Sequence, residues 1–79
     1  MIKKITLSEL KAGEKADVKE MSLGLNIKRR LQDLGVIPGT QIECYLKNSN
    51  NSIAAYIIRD AVIALRKCDT DNIFVERRR

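Results

Sequence analysis

The sequence predicts a small all-β domain of about five short strands with one short helical insertion at residues 25–34. Short runs of alternating apolar and polar residues are typical of half-buried strands, and they are separated by polar or glycine-containing turns. Five strands in 79 residues are too few for two packed sheets, and a small sheet protects its edges by closing into a barrel. We therefore predict a single barrel domain that covers residues 1–79.

The strands follow a short helical turn near the beginning of the chain. Thr6 and Glu9 have the spacing of a capping box, which predicts one helical turn that Gly13 ends. The alternation then predicts strands at residues 14–21, 41–46, 53–58, 62–66 and 73–75. In the strand at 41–46, alternation places Cys44 and Leu46 on the inward face with Ile42.

One segment has the period of a helix. Ile27, Leu31 and Leu34 fall at i, i+4 and i+7, and Gly35 follows as a C-terminal stop. At 100° per residue, Arg30 borders this apolar stripe. Because the strand at 53–58 is apolar on both faces, we expect the helix to cover its outer face, with an interface to another chain as the alternative.

The turn after this helix is predicted from two residues. Pro38 presets φ at the first central position of a tight turn, and Gly39 supplies the positive φ wanted at the second. The chain is therefore expected to reverse here and enter the strand at 41–46.

Composition and charge restrict the kinds of protein that the chain can be. The longest apolar runs, at residues 53–58 and 61–65, are far shorter than the roughly 20 residues of a membrane-spanning helix, and the first ten residues lack a signal peptide pattern. The net charge of +5 includes three arginines at 77–79, which we expect to form a flexible basic tail. We predict a cytoplasmic domain whose positive and negative charges nearly balance outside these three arginines.

Chemistry-bearing side chains are few. The sequence has no histidine and two cysteines, of which Cys44 is predicted to be a buried thiol. Cys68, Asp69 and Asp71 share a loop, but aspartates at this spacing also belong to ordinary turns. The chain has no pairing of a nucleophile with a base and no phosphate-binding loop. We therefore predict no catalytic residues, no metal site and no cofactor.

The segment Leu-Gln-Asp-Leu-Gly-Val-Ile-Pro-Gly-Thr at residues 31–40 resembles the FeoA family, the small ferrous iron transport protein A. The resemblance begins with Leu-Ser-Glu-Leu-Lys-Ala-Gly-Glu at 7–14, includes Arg-Arg-Leu at 29–31, and ends with Ile-Ala-Leu-Arg at 63–66 and Ile-Phe-Val at 73–75. It implies an SH3-like barrel, cytoplasmic residence and action on FeoB, the membrane protein that carries Fe²⁺ inward.

This resemblance makes the helix and the following turn the expected contact with the cytosolic part of FeoB, so that the chain would reach the membrane only through this partner. A guanidinium beside an apolar stripe can bind carboxylates with charge-assisted bonds. The candidate partner-binding residues are Arg30, Leu34, Gly35, Ile37, Pro38 and Gly39.

Two alternatives remain at this point. A nucleic-acid-binding barrel would use the basic residues, but only Tyr45, Tyr56 and Phe74 are available for base stacking, so no nucleic-acid partner is expected. A peptide-binding SH3-like adaptor would need an aromatic groove, for which the same three residues are few. The sequence leaves self-association open.

Overall fold

The computed structural model describes residues 4–50 and 52–78, and within them the fold is a six-stranded antiparallel sheet with little helix. Two helices, α1 (Leu25–Asp33) and the four-residue α2 (Lys67–Thr70), and one 3₁₀ turn (Leu7–Glu9) join the strands. The strands are β1 (Lys4–Thr6), β2 (Lys15–Met21), β3 (Gln41–Lys47), β4 (Ile53–Ile58), β5 (Ala61–Arg66) and β6 (Ile73–Arg77). The predicted all-β class is confirmed.

The strands lie in the order β1-β6-β2-β3-β4-β5, so that β1 and β5 are the two edges. Ile5 on β1 and Leu65 on β5 are both 7% exposed and belong to one core cluster. In a flat sheet of six strands these edges would be about 24 Å apart. The sheet must therefore curl around its core, although no ladder joins β1 to β5 among the described residues.

The strand β1 was not expected from the sequence. It is only three residues long, and Ile5 pairs with Val75 of β6. Alternation over three residues carries too little signal to be recognised without its partner strand. The predicted capping box that follows is present, because the Thr6 N–H donates to the Glu9 carboxylate at 2.8 Å.

The inward placement predicted for Leu46 is wrong. The register between β3 and β4 shifts between Cys44 and Leu46, which is a β-bulge that moves the following side chains to the opposite face. Cys44 is fully buried, as predicted, whereas Leu46 is 51% exposed beside Ala55 on the outer face.

The helix does not cover the outer face of β4. Leu31 is 3% exposed and joins the same core cluster as Tyr56 and Leu65, which places α1 on the inner side of the sheet. On the outer side, Ile53 is 45% exposed and Val62 on the neighbouring strand is 60% exposed. These two side chains of the outer face are therefore exposed to solvent, whereas Ala55 and Ile57 on the same face are half-buried.

Two of the three C-terminal arginines, Arg77 and Arg78, form ion pairs with β2 and the loop before it. Arg77 ends β6 and forms an ion pair with Glu14 at 3.1 Å. Arg78 forms an ion pair with Asp17 at 3.0 Å and donates a backbone hydrogen bond to Lys15. Residue 79 lies outside the described residues. No helix within 4–50 and 52–78 has the length and apolar character needed to cross a membrane.

Candidate partner-binding surface

The end of α1 is held by a Schellman motif. Leu34 is the C-cap, and the N–H of Gly35 donates to Gln32 O at 3.0 Å. The N–H of Val36 donates to Leu31 O at 2.9 Å, and both of these apolar side chains are in the core. These are the two hydrogen bonds of the motif, which requires a left-handed residue after the cap. Gly35 meets that requirement with φ of +101°.

The following turn is fixed to β2. Thr40 N–H donates to Ile37 O at 3.0 Å, which closes the predicted turn around Pro38, and Gly39 has φ of +91°. Gly39 N–H also donates to Val18 O at 2.8 Å. Because the turn is tied to the sheet at this point, it presents its side chains from a rigid support.

We use the name α1 surface for Arg30, Leu34, Ile37 and Pro38, the members of the predicted set other than glycine that are exposed. Leu34 is 41% exposed and Ile37 is 36% exposed, while Arg30 and Pro38 are also exposed. No hydrogen bond or ion pair joins the Arg30 side chain to another described residue. The surface therefore combines apolar area with a guanidinium that is free to bind a carboxylate.

Gly35 and Gly39 have different positions relative to this surface. Gly35 is buried and supports the surface through its backbone conformation. Gly39 is exposed and has open space around its Cα, with no atom within 4 Å of a methyl group placed there.

Arg59 is a neighbour of this surface that sequence reasoning missed. It lies in the two-residue turn between β4 and β5, where Arg59 and Asp60 have φ of 50° and 66°. A methyl group placed on Gly35 would lie 2.9 Å from Cδ and 3.0 Å from Nε of Arg59. The Arg59 side chain therefore packs on the end of α1, a contact that no local pattern could have indicated.

A groove of about 190 Å³ separates α1 from the edge strand β5. Its apolar walls include Ile27 and Leu34 from the helix side and Ile63 and Leu65 from the strand, and Arg30 and Arg66 lie at its rim. The Arg66 side chain is 72% exposed, and its only ion pair among the described residues is a 3.9 Å contact with Asp69. The groove leaves β5 accessible beside the α1 surface.

Of the residues predicted to share a loop, Cys68 and Asp69 lie in α2, and the protein engages the carboxylate of Asp71, which follows the helix. Asp71 accepts a 2.5 Å hydrogen bond from the Ser8 hydroxyl and forms an ion pair with Lys67 at 3.1 Å. The Ser8 hydrogen bond, followed by Lys67, lowers the Asp71 pKa. Within residues 4–50 and 52–78, no three His, Cys, Asp or Glu side chains form a group that could hold a metal ion.

Comparison with known proteins gives the family relationship. A family model described as FeoA domain matches residues 5–77. No curated protein matches the chain. A solution structure of FeoA protein from Chlorobium tepidum is similar over 92% of this chain and 70% of its own, with 26% identity and a TM-score of 0.88.

Two further solved structures extend the comparison. FeoA of Stenotrophomonas maltophilia, described as a procaryotic SH3 domain protein complexed with zinc, is 28% identical over 90% of this chain and 88% of its own, with a TM-score of 0.78. A manganese-dependent transcriptional repressor has a TM-score of 0.87 at 14% identity, over 99% of this chain and 44% of its own. The likeness to the repressor shows a shared fold and nothing more. That fold is SH3-like, as the description of the Stenotrophomonas structure states.

Proposed function

The chain belongs to the FeoA family, and we propose that it is a cytoplasmic accessory protein of ferrous iron uptake that binds the cytosolic part of FeoB through its α1 surface. The Stenotrophomonas relative is described as a candidate ferrous iron transport activating factor. The observation that carries the proposal is the α1 surface itself. Exposed Leu34 and Ile37 flank the rigid end of α1, and the Arg30 side chain on the helix has no ion pair with another described residue. A protein interface typically centres on a few such apolar and arginine side chains.

The chain acts in this proposal by binding. Tyr56 is 1% exposed, and burial raises its pKa to about 12, so that its hydroxyl stays protonated and serves the core. Burial also raises the pKa of the Cys44 thiol, which makes it a poor nucleophile at neutral pH. The protonated Tyr56 hydroxyl and Cys44 thiol thus serve the core. This agrees with a role as a binding module, in which FeoB carries out the transport.

The nucleic-acid alternative loses support from the placement of its key residues. Base stacking needs exposed aromatic rings, and Tyr56 is buried. Arg77 and Arg78 form ion pairs with Glu14 and Asp17, so that part of the terminal positive charge is already balanced. We therefore prefer a protein partner.

The test is a titration of the isotope-labelled protein with the purified cytosolic domain of its cognate FeoB, in each nucleotide state, followed by NMR chemical shifts. We expect the shifts to concentrate on Arg30, Leu34, Ile37 and their neighbours. Arg30→Glu and Leu34→Ser should each weaken binding by about tenfold, because a central interface residue contributes more than about 1 kcal/mol.

Arg29→Glu is the matched control, since it makes the same charge reversal on an exposed helix residue that does not line the groove. It should change the affinity by no more than about threefold. Unchanged spectra in every nucleotide state would reject FeoB binding. Shifts on another face, with normal binding by both variants, would reject the α1 surface while keeping the partner.

A further inference from the structure

The strand β5 is an edge without the usual protection. It pairs with β4 on one side only, and four of its six residues are exposed. Natural edge strands usually carry a proline, a bulge or an inward-pointing charge, or are covered by a helix or loop, and so do not pair with another chain. The first five residues of β5, Ala-Val-Ile-Ala-Leu, include no proline and no charge. The register with β4 has no bulge, and a groove separates β5 from α1. The other edge, β1, is only three residues long.

The pairing with β4 determines which backbone groups of β5 are free. The two strands are joined by a two-residue turn, so that Ile58 and Ala61 form the first hydrogen-bonded pair. Lys67 N–H donates to Ser52 O at 2.9 Å, which follows the same alternation at the other end. The N–H and C=O groups of the intervening residues Val62, Ala64 and Arg66 therefore point away from β4.

The charges at the two ends of β5 have opposite signs. Asp60 precedes the strand and has no hydrogen bond or ion pair with another described residue. Arg66 ends the strand with its side chain 72% exposed. Arg59 packs against Gly35, which turns its cation toward the end of α1. In an antiparallel pair of two β5 strands, the acidic end of one copy, at Asp60, would therefore lie near the basic end of the other copy, at Arg66.

The alternation of side chains selects one register for such a pair. Directly opposite residues in an antiparallel pair share a face, so Val62 can face Val62, Ala64 or Arg66 of a second copy. Only the register with Val62 opposite Ala64 brings Asp60 of each copy beside Arg66 of the other. That register also places Ile63 opposite its own copy and joins the outward-pointing backbone groups.

From this match we propose that β5 forms an antiparallel pair with β5 of a second copy of the chain, in the register that sets Val62 opposite Ala64. The pair makes one continuous sheet with a twofold axis at Ile63. It covers Val62, which is 60% exposed in the single chain. The proposal does not depend on FeoB binding, because the pairing uses the backbone of β5. The α1 surface borders the same groove from the other side, through Arg30 and Leu34.

The contact is small, since only residues 60–66 of each copy take part. Interfaces that bury less than about 1,200 Å² are typically weak or transient. We therefore expect a monomer at low micromolar concentration and a dimer near millimolar concentration. Sedimentation velocity over this range should show a reversible increase in sedimentation coefficient, and a constant monomer value would overturn the proposal.

Hydrogen exchange identifies the surface. The amides of Val62 and Ala64 point away from β4 in the single chain and should exchange fast at low concentration, then more slowly as the dimer forms. The amides of Ile63 and Leu65 already face β4, so their protection should change little. Dimer formation without added protection at Val62 and Ala64 would place the contact elsewhere and overturn the proposal.

Charge reversal tests the register. Asp60→Arg and Arg66→Asp should each weaken self-association by about tenfold or more, because each creates two like-charge contacts across the twofold axis. An equal mixture of the two variants should associate again, since every contact between unlike variants is attractive. A variant that failed to fold would not be rescued by mixing. Arg29→Asp is the control and should associate like the unchanged protein; a mixture no stronger than the separate variants would refute the register.

Discussion

The replacement Gly35→Ala tests how the end of α1 is built. Gly35 has φ of +101°, outside the range that residues with a Cβ adopt easily. The left-handed conformation costs a residue with a Cβ about 1–2 kcal/mol relative to glycine. The added methyl group would also lie 2.9 Å from Arg59 Cδ. Moving Arg59 from its rotamer adds about 0.5–1.5 kcal/mol, so we expect a total loss of about 1.5–3.5 kcal/mol.

The measurement is urea unfolding followed by circular dichroism, with the slope of the unfolding free energy against urea unchanged. Gly39→Ala is the matched control, because it has a similar φ of +91° but no atom near the added methyl group. It should lose only about 1–2 kcal/mol. In an Arg59→Ala background, the cost of Gly35→Ala should fall to about the same value.

Two results would refute this reasoning. A loss below about 0.5 kcal/mol for Gly35→Ala would mean that the backbone relaxes to a conformation without strain. An unchanged loss in the Arg59→Ala background would mean that the contact between Arg59 and Gly35 does not determine the cost.

The other predictions concern ionisation and the β3 bulge. Because the Ser8 hydroxyl is the main cause of the low Asp71 pKa, Ser8→Ala should raise that pKa in a carboxyl NMR titration, and an unchanged pKa would exclude the Ser8 hydroxyl as the cause. The stabilisation by ionised Asp71 is present at neutral pH and is lost as pH falls through the pKa of Asp71 in the folded protein. Burial raises the pKa of Tyr56 from 10 to about 12, so the contribution of its protonated hydroxyl to the unfolding free energy should be fully present below pH 10 and be lost as pH rises toward 12. Tyr56→Phe should remove this part of the alkaline loss of stability, and identical alkaline profiles of the two proteins would contradict it. Leu46→Ser should change the unfolding free energy by less than about 0.5 kcal/mol, because Leu46 is 51% exposed. Ile42→Ala, at a fully buried position of the same strand, should lower it by about 2–5 kcal/mol. Equal losses for the two variants in urea unfolding would place Leu46 in the core.

The helix shows how far sequence periodicity reaches. Its predicted range, 25–34, agrees with the observed Leu25–Asp33 and the C-cap Leu34. The stripe itself was less informative, because only Leu31 is buried while Ile27 and Leu34 are 41% exposed. A period of 3.6 residues identifies a face, but the depth to which that face is covered depends on the elements that pack against it.

The backbone geometry of the candidate surface was predicted in part. Gly35, Pro38 and Gly39 were assigned to backbone geometry from their residue types alone, and the hydrogen bonds of the two turns agree. Arg59 could not be predicted as a neighbour of Gly35, because the two residues are distant in the chain. The groove between α1 and β5 could not be predicted for the same reason.

The sequence by itself determined the strand class, the position of the helix and the chemistry of the turn at Pro38 and Gly39. These features are local, since each depends on alternation over a few residues or on the dihedral preferences of one residue. Only the tertiary structure decided that Leu46 faces outward, because a register shift requires a partner strand. It also decided that β5 is an edge, which depends on the order of all six strands.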